Sequence, residues 1–137
     1  MRRHEFWPSA LERVIDKART KRFRRGRHDC ALFVAACIKA MTGVDHGAPF
    51  RGKYNTKEGA ALMLRERGAE TPGDYASVVL GPPVNQRQAG RGDVAEFMTP
   101  EGPSIGIIDN SGRRIVTVAD EGVIFVDKKN ALRAWRV

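Results

Sequence analysis

Two cysteines, three histidines and no long apolar run set the first limits on this chain of 137 residues. Cys30 and Cys37 are seven positions apart. On a continuous helix they share a face but stand about 10 Å apart along the axis, too far for a disulfide. No Cys-X-X-Cys pair and no clustered Cys/His spacing points to zinc, so neither a metal nor a cofactor is expected. A reducing compartment, or assembly inside a cell, fits this cysteine usage. No stretch approaches the roughly 20 apolar residues of a membrane helix, and membrane insertion is not expected. Met1 to Pro8 begins basic but has no apolar core behind it, which excludes a secretory signal. Internal repeats and low-complexity tracts are also absent. What remains is a globular composition, 42% hydrophobic and 29% charged, at a length suited to one domain.

Charge is distributed unevenly. Residues 1–28 carry ten Lys/Arg against Glu5, Glu12 and Asp16, a net of +7, whereas residues 29–137 carry fourteen against thirteen, a net of +1. The densest run is Lys21-Arg22-Phe23-Arg24-Arg25-Gly26-Arg27. Such a run can contact nucleic acid or another anionic surface. It can equally be a solvated helix end with cations near the C-terminal dipole, or a protein-docking arm. Phe23, alone among the arginines, is a poor stacking platform for bases, so nucleic acid is not the expected partner.

The segment around which the rest is organised is Asp29 to Gly43. Asp29 can cap a helix and Gly43 can end it. Cys30, Phe33, Val34, Cys37, Ile38 and Met41 recur at helical spacing, predicting one wide buried face. Cys30 falls in the first turn, where free N–H groups and the macrodipole favour a thiolate; a small buried apolar role is the alternative. Before it, Trp7, Leu11, Val14, Ile15 and Ala18 predict a helix from about Pro8 to Thr20, packed alongside. Val44 to Asn55 reads as a surface loop. Thr56 can cap a third helix to Arg67, with Ala60, Ala61, Leu64 and either Leu62 or Met63 inward. Asp74 to Leu80 suits a short fourth helix. From Gly92 the period changes to that of strands: 94–98, 105–108, 114–118, 123–126 and 132–137 are β-prone runs separated by turn chemistry. The expectation is an α+β domain over 1–137. It comprises a basic N-terminal helix and arm (1–28), the Cys30 helix and further helices (29–90), and a curled antiparallel meander (91–137) on which the helices pack. Phe33, Ile38, Ile107 and Trp135 should be buried.

This order of elements resembles the NlpC-type cell-wall peptidases of the papain-like superfamily. Asp29-Cys30-Ala31-Leu32-Phe33-Val34 is similar to their nucleophile helix. Arg91-Gly92-Asp93-Val94-Ala95-Glu96-Phe97 is similar to their Gly-Asp-led strand, and Ser104-Ile105-Gly106-Ile107-Ile108 to their His-Val-Gly strand. Thr42-Gly43-Val44-Asp45, Arg51-Gly52-Lys53-Tyr54 and the closing Arg133-Ala134-Trp135-Arg136-Val137 make the chain look like a relative of that group found in tailed phages and prophages. The resemblance implies a papain-like NlpC-type fold with Cys30 at the nucleophile position and Ser104 at the position of the general base, a histidine in the family. Serine titrates far too high to serve as that base. The next strand offers only Thr117 where a base-orienting polar group would stand, so the usual triad is missing. Of the histidines, His28 should point away from the thiol, His4 lies in a terminus expected to be mobile, and His46 could fold back as a substitute base.

Three functions follow as expectations. One is a structural component of a phage tail tip or baseplate, a catalytically degenerate NlpC-like virion protein made in host cytoplasm and contacting hub, distal tail or tape-measure proteins. Another is an active thiol peptidase or amidase acting on peptidoglycan peptides through Cys30. The third, a small nucleic-acid-binding protein, has only the N-terminal charge behind it.

Overall fold

A computed structural model describes all 137 residues. The first helix, α1 (Trp7–Ala18), carries Pro8 in its first turn and buries Leu11, Ile15 and Ala18 on one stripe. It stops before the basic run, two residues short of Thr20. α2 (Cys30–Thr42) is capped as its sequence predicts. The Asp29 side chain accepts from the Leu32 amide, and Gly43, at φ +83°, donates its N–H to the Lys39 carbonyl.

The single-faced stripe expected of α2 is too narrow, because Leu32 and Ala35 are buried along with Phe33, Val34, Cys37, Ile38 and Met41. A helix that is apolar nearly all round is a core helix. α1 covers one side of it and the sheet covers another. Residues 44–55, expected to lie on the surface, cover a third. Within them Phe50 is buried, and Asp45 holds the turn through paired hydrogen bonds from Arg51 at 3.1 and 3.0 Å. Gly47 sits so close to α2 that a Cβ there would lie 3.1 Å from both Ala35 and Leu32.

α3 (Lys57–Glu66) begins at the Thr56 cap, whose hydroxyl accepts from Gly59. It buries no residue fully; Leu62 faces solvent, while Ala60, Ala61, Met63 and Leu64 are half-buried. α4 (Pro72–Leu80) starts two residues earlier than Asp74, because Thr71 and Asp74 form a reciprocal capping box that satisfies two free donors of the first turn.

The strands are β1 (Val94–Thr99), β2 (Gly102–Ile108), β3 (Arg114–Ala119), β4 (Gly122–Asp127) and β5 (Arg133–Trp135). They form one antiparallel sheet in the order β4-β3-β2-β1-β5. The meander therefore holds for four strands only. After a 3-10 turn at Lys128–Asn130 the chain crosses the sheet, and β5 pairs with β1 in the register Val94↔Trp135. What draws it there is Trp135, fully buried with its indole N–H donated to Ser77 of α4 at 2.9 Å. Beside it Arg133 grips the buried Glu96 through two hydrogen bonds, 2.8 and 2.7 Å, and Asp74 at 3.1 Å. One face of the sheet joins Phe33, Ile38, Ile107 and Trp135 in the main core with α1, α2 and Ala76 of α4. The other carries Phe97, Ile108 and Ile115 under Ala89 and Ala131.

The N-terminus is tied down rather than loose. Arg3 donates to the Val137 carbonyl, the Arg91 carbonyl and the Asp93 carboxylate, and the His4 amide donates to Met41 at 2.7 Å.

Candidate functional site

Asp29 is the hub of the site. It is 3% exposed, and both its oxygens accept hydrogen bonds. Oδ1 accepts from the Leu32 amide at 2.9 Å, and Oδ2 accepts from the Gly26 amide at 2.9 Å and from the Tyr54 hydroxyl at 2.5 Å. The cap thus also fastens the basic turn before α2 and the loop after it. Gly26, at φ +84°, is needed for that closure, since a Cβ would run into the Tyr54 carbonyl, while its own carbonyl accepts from Gly52 at 2.8 Å. Burial, then the Asp29 contact, pushes the Tyr54 phenol well up from its ordinary range, so it remains a donor. The capping role of Asp29 is legible in sequence. The Tyr54 contact is not, because it joins residues 25 apart; Tyr54 is noticeable only within the Arg51-Gly52-Lys53-Tyr54 motif.

Cys30 opens α2 directly beside this hub. Part of the residue reaches the surface, yet burial of the thiol is the largest influence on it and pushes its pKa up. Opposing burial are the Ser104 hydroxyl, at the start of the central part of β2, and the Ile105 and Ala31 backbone amides; the Asp29 charge works with burial. Ser104 therefore lies near the thiol, across the α2–β2 contact. Thr117, fully buried on β3, donates its hydroxyl to the Ile105 carbonyl at 2.7 Å. It braces the strand that carries Ser104.

None of the three histidines forms a hydrogen bond with the thiol. His28 precedes the cap and is half-buried, with Nε2 lacking a partner. The His4 ring stands near Gly43, at the opposite end of α2. His46 lines the same cavity as Cys30, and its buried Nε2 is also unpartnered. Burial lowers its pKa, with the Asp45 charge pulling the other way, so the ring is neutral at pH 7. Cys37 lies within the core, where burial raises its pKa far above the ordinary thiol value.

The cavity runs from Cys30 along α2 between α3, α4 and the 44–55 loop. Its volume is about 140 Å³, and sixteen of its twenty-one lining residues are apolar, Val34, Phe50, Leu64 and Val79 among them. Arg25, close enough to Tyr54 for its charge to act on the phenol, also lines the cavity. No group of three His, Cys, Asp or Glu side chains is arranged to hold a metal ion, and no helix is long and apolar enough to cross a membrane.

Compared with known families, the chain matches over residues 2–137 the family model described as "Domain of unknown function (DUF6950)". That span is nearly the whole chain, and the chain belongs to this family. No curated protein matches it.

Proposed function

We propose that this member of the DUF6950 family is a non-catalytic assembly component of a bacteriophage tail tip, built on a papain-like NlpC-type fold that has lost its thiol chemistry. The observation that carries the proposal is the surroundings of Cys30: a thiol whose pKa burial pushes up, with the Ser104 hydroxyl near it and no histidine hydrogen-bonded to it. A cysteine hydrolase needs a base that takes the thiol proton and returns it to the leaving group. A serine hydroxyl can do neither near neutral pH. The helix N-terminus alone contributes about 0.3–1 kcal/mol toward the thiolate, less than one pKa unit, and burial acts against it.

The phage-tail part rests on the resemblance of Asp29-Cys30, Arg51-Gly52-Lys53-Tyr54 and the Arg133–Val137 terminus to phage and prophage relatives. It is supported by the basic segment before α2. Lys21, Arg22, Arg24, Arg25 and Arg27 make no ion pair within the chain, which leaves a cationic surface suited to an acidic partner among hub, distal tail or tape-measure proteins. The test is to tag the chain in the phage or prophage that encodes it and examine purified particles. The expected result is the chain present in mature tails, incomplete tails on its deletion, and normal infectivity for Cys30→Ser. Its absence from virions, or loss of infectivity in Cys30→Ser with intact tails, overturns the proposal.

One observation favours a second reading, a thiol amidase or peptidase acting on peptidoglycan peptides: the neutral His46 shares the Cys30 cavity with a free ring nitrogen. Release of soluble muropeptides that is abolished by Cys30→Ser and by His46→Ala would establish it.

A further inference from the structure

We propose that the cavity beside Cys30 is a binding site for a carboxylate carrying one apolar group of about the size of a phenyl ring, its apolar part between α2, α3 and α4 and its anion at Arg25. This rests on reading the Cys30 pocket as one that does not hydrolyse what enters it. Size is the first argument. The cavity measures about 140 Å³, and an apolar cavity of roughly 150 Å³ in a protein core stays dry and takes up benzene. Most of the wall is aliphatic and aromatic, with Phe50, Tyr75, Val79 and Leu80 contributing, which favours an apolar occupant.

Charge is the second argument. Arg25 lines the cavity and is half-buried. Its guanidinium stacks on Phe23 at 5.0 Å and takes part in no ion pair or side-chain hydrogen bond within the chain. A cation partly withdrawn from water and lacking a partner is a ready site for a carboxylate, whose contact with arginine is charge-assisted. The Asp29 carboxylate, which also lines the cavity, accepts from the Gly26, Leu32 and Tyr54 donors and makes no hydrogen bond with Arg25. Inside the cavity His46 supplies a buried, unpartnered Nε2, a group whose isolation is costly unless a ligand or water meets it. A small free acid and the apolar C-terminal residue of another protein chain share this chemistry.

The test uses 4-phenylbutyrate, 4-phenylbutylamine and benzene as probes, titrated into the 15N-labelled chain and into its Cys30→Ser variant. Amide shifts at Cys30, His46, Leu64 and Val79 should move on addition of the acid, with the amine binding at least about tenfold more weakly. Arg25→Gln should abolish that preference while leaving benzene binding unchanged. Ala76→Leu, which fills the cavity, should weaken all three probes; if that variant does not fold, Arg25→Gln still decides. Peptides ending in Gly-Gly-Phe, with free and with amidated termini, separate the two sources. Tighter binding of the free-terminus peptide than of 4-phenylbutyrate assigns the site to a chain terminus, and weaker binding assigns it to a small acid. Equal affinity for acid and amine, an acid preference that survives Arg25→Gln, or no shift at the cavity amides overturns the proposal. No turnover is involved, so failure here leaves the virion and thiol results standing, and theirs leaves this one standing.

Discussion

Ser104→His tests whether Cys30 lacks only a base. Burial holds the thiol above the ordinary value. A thiol at about 8.5 is already only about 3% thiolate at pH 7, so the wild-type chain should react with iodoacetamide more slowly than a free cysteine peptide. An imidazole at position 104 would stand near the sulfur, as the serine does now. Ser104, paired with Phe97 of β1, is partly exposed, so a larger side chain there need not displace the core. If it brings the thiol to about 7, the thiolate fraction rises about fifteenfold, while the intrinsic nucleophilicity falls about fivefold at a Brønsted slope near 0.45. The net gain is at least about threefold, and more the further burial has raised the wild-type thiol. Alkylation at pH 7, followed by mass spectrometry site by site, measures it. Cys37 serves as the internal control, being fully buried. Wild-type Cys30 labelling as fast as a free thiol, or a folded Ser104→His variant labelling no faster than wild type, would refute the reasoning.

Other perturbations reach the scaffold. Phe33→Ala, at a residue 1% exposed, should cost about 3–5 kcal/mol in urea denaturation; a loss below about 1 kcal/mol would remove α2 from the centre of the core. Arg133→Met leaves the buried Glu96 carboxylate without its bidentate partner and should cost about 3 kcal/mol at pH 7. A loss below about 1 kcal/mol in urea denaturation would count against the ion pair. The pKa values of His28 and His46 are lowered, chiefly by burial, so below about pH 6.5 the unfolded chain binds more protons and stability falls with pH. Urea midpoints at pH 7 and 5.5 should differ less in the His28→Asn/His46→Asn variant than in wild type. Reversing Arg22 and Arg24 to Glu should weaken tail assembly, and added salt should do the same to wild type; assembly indifferent to both would exclude the basic segment as the contact.

The elements legible in the chain's order of residues are those whose signals lie between close neighbours. Asp29 and Gly43 bound α2, and Thr56 starts α3, because capping is satisfied within one turn. Alternation and turn chemistry after Gly92 mark strands for the same local reason. Nothing local announces that β5 leaves the meander to pair with β1. That choice follows from where Trp135 and Arg133 find Ser77, Glu96 and Asp74. Nor could spacing show that α2 is covered on a third side by residues 44–55, so that Leu32 and Ala35 are buried, or that Arg3 fastens the N-terminus to Asp93 and Val137. The site divides in the same way. The first-turn position of Cys30 is local, whereas Ser104 near it is singled out by a family resemblance, and Tyr54 on Asp29, Arg25 in the cavity lining and the cavity itself follow from packing. Each of these joins groups far apart in the chain. Loop closure and burial decide such contacts together, and only the folded chain brings the partners within reach.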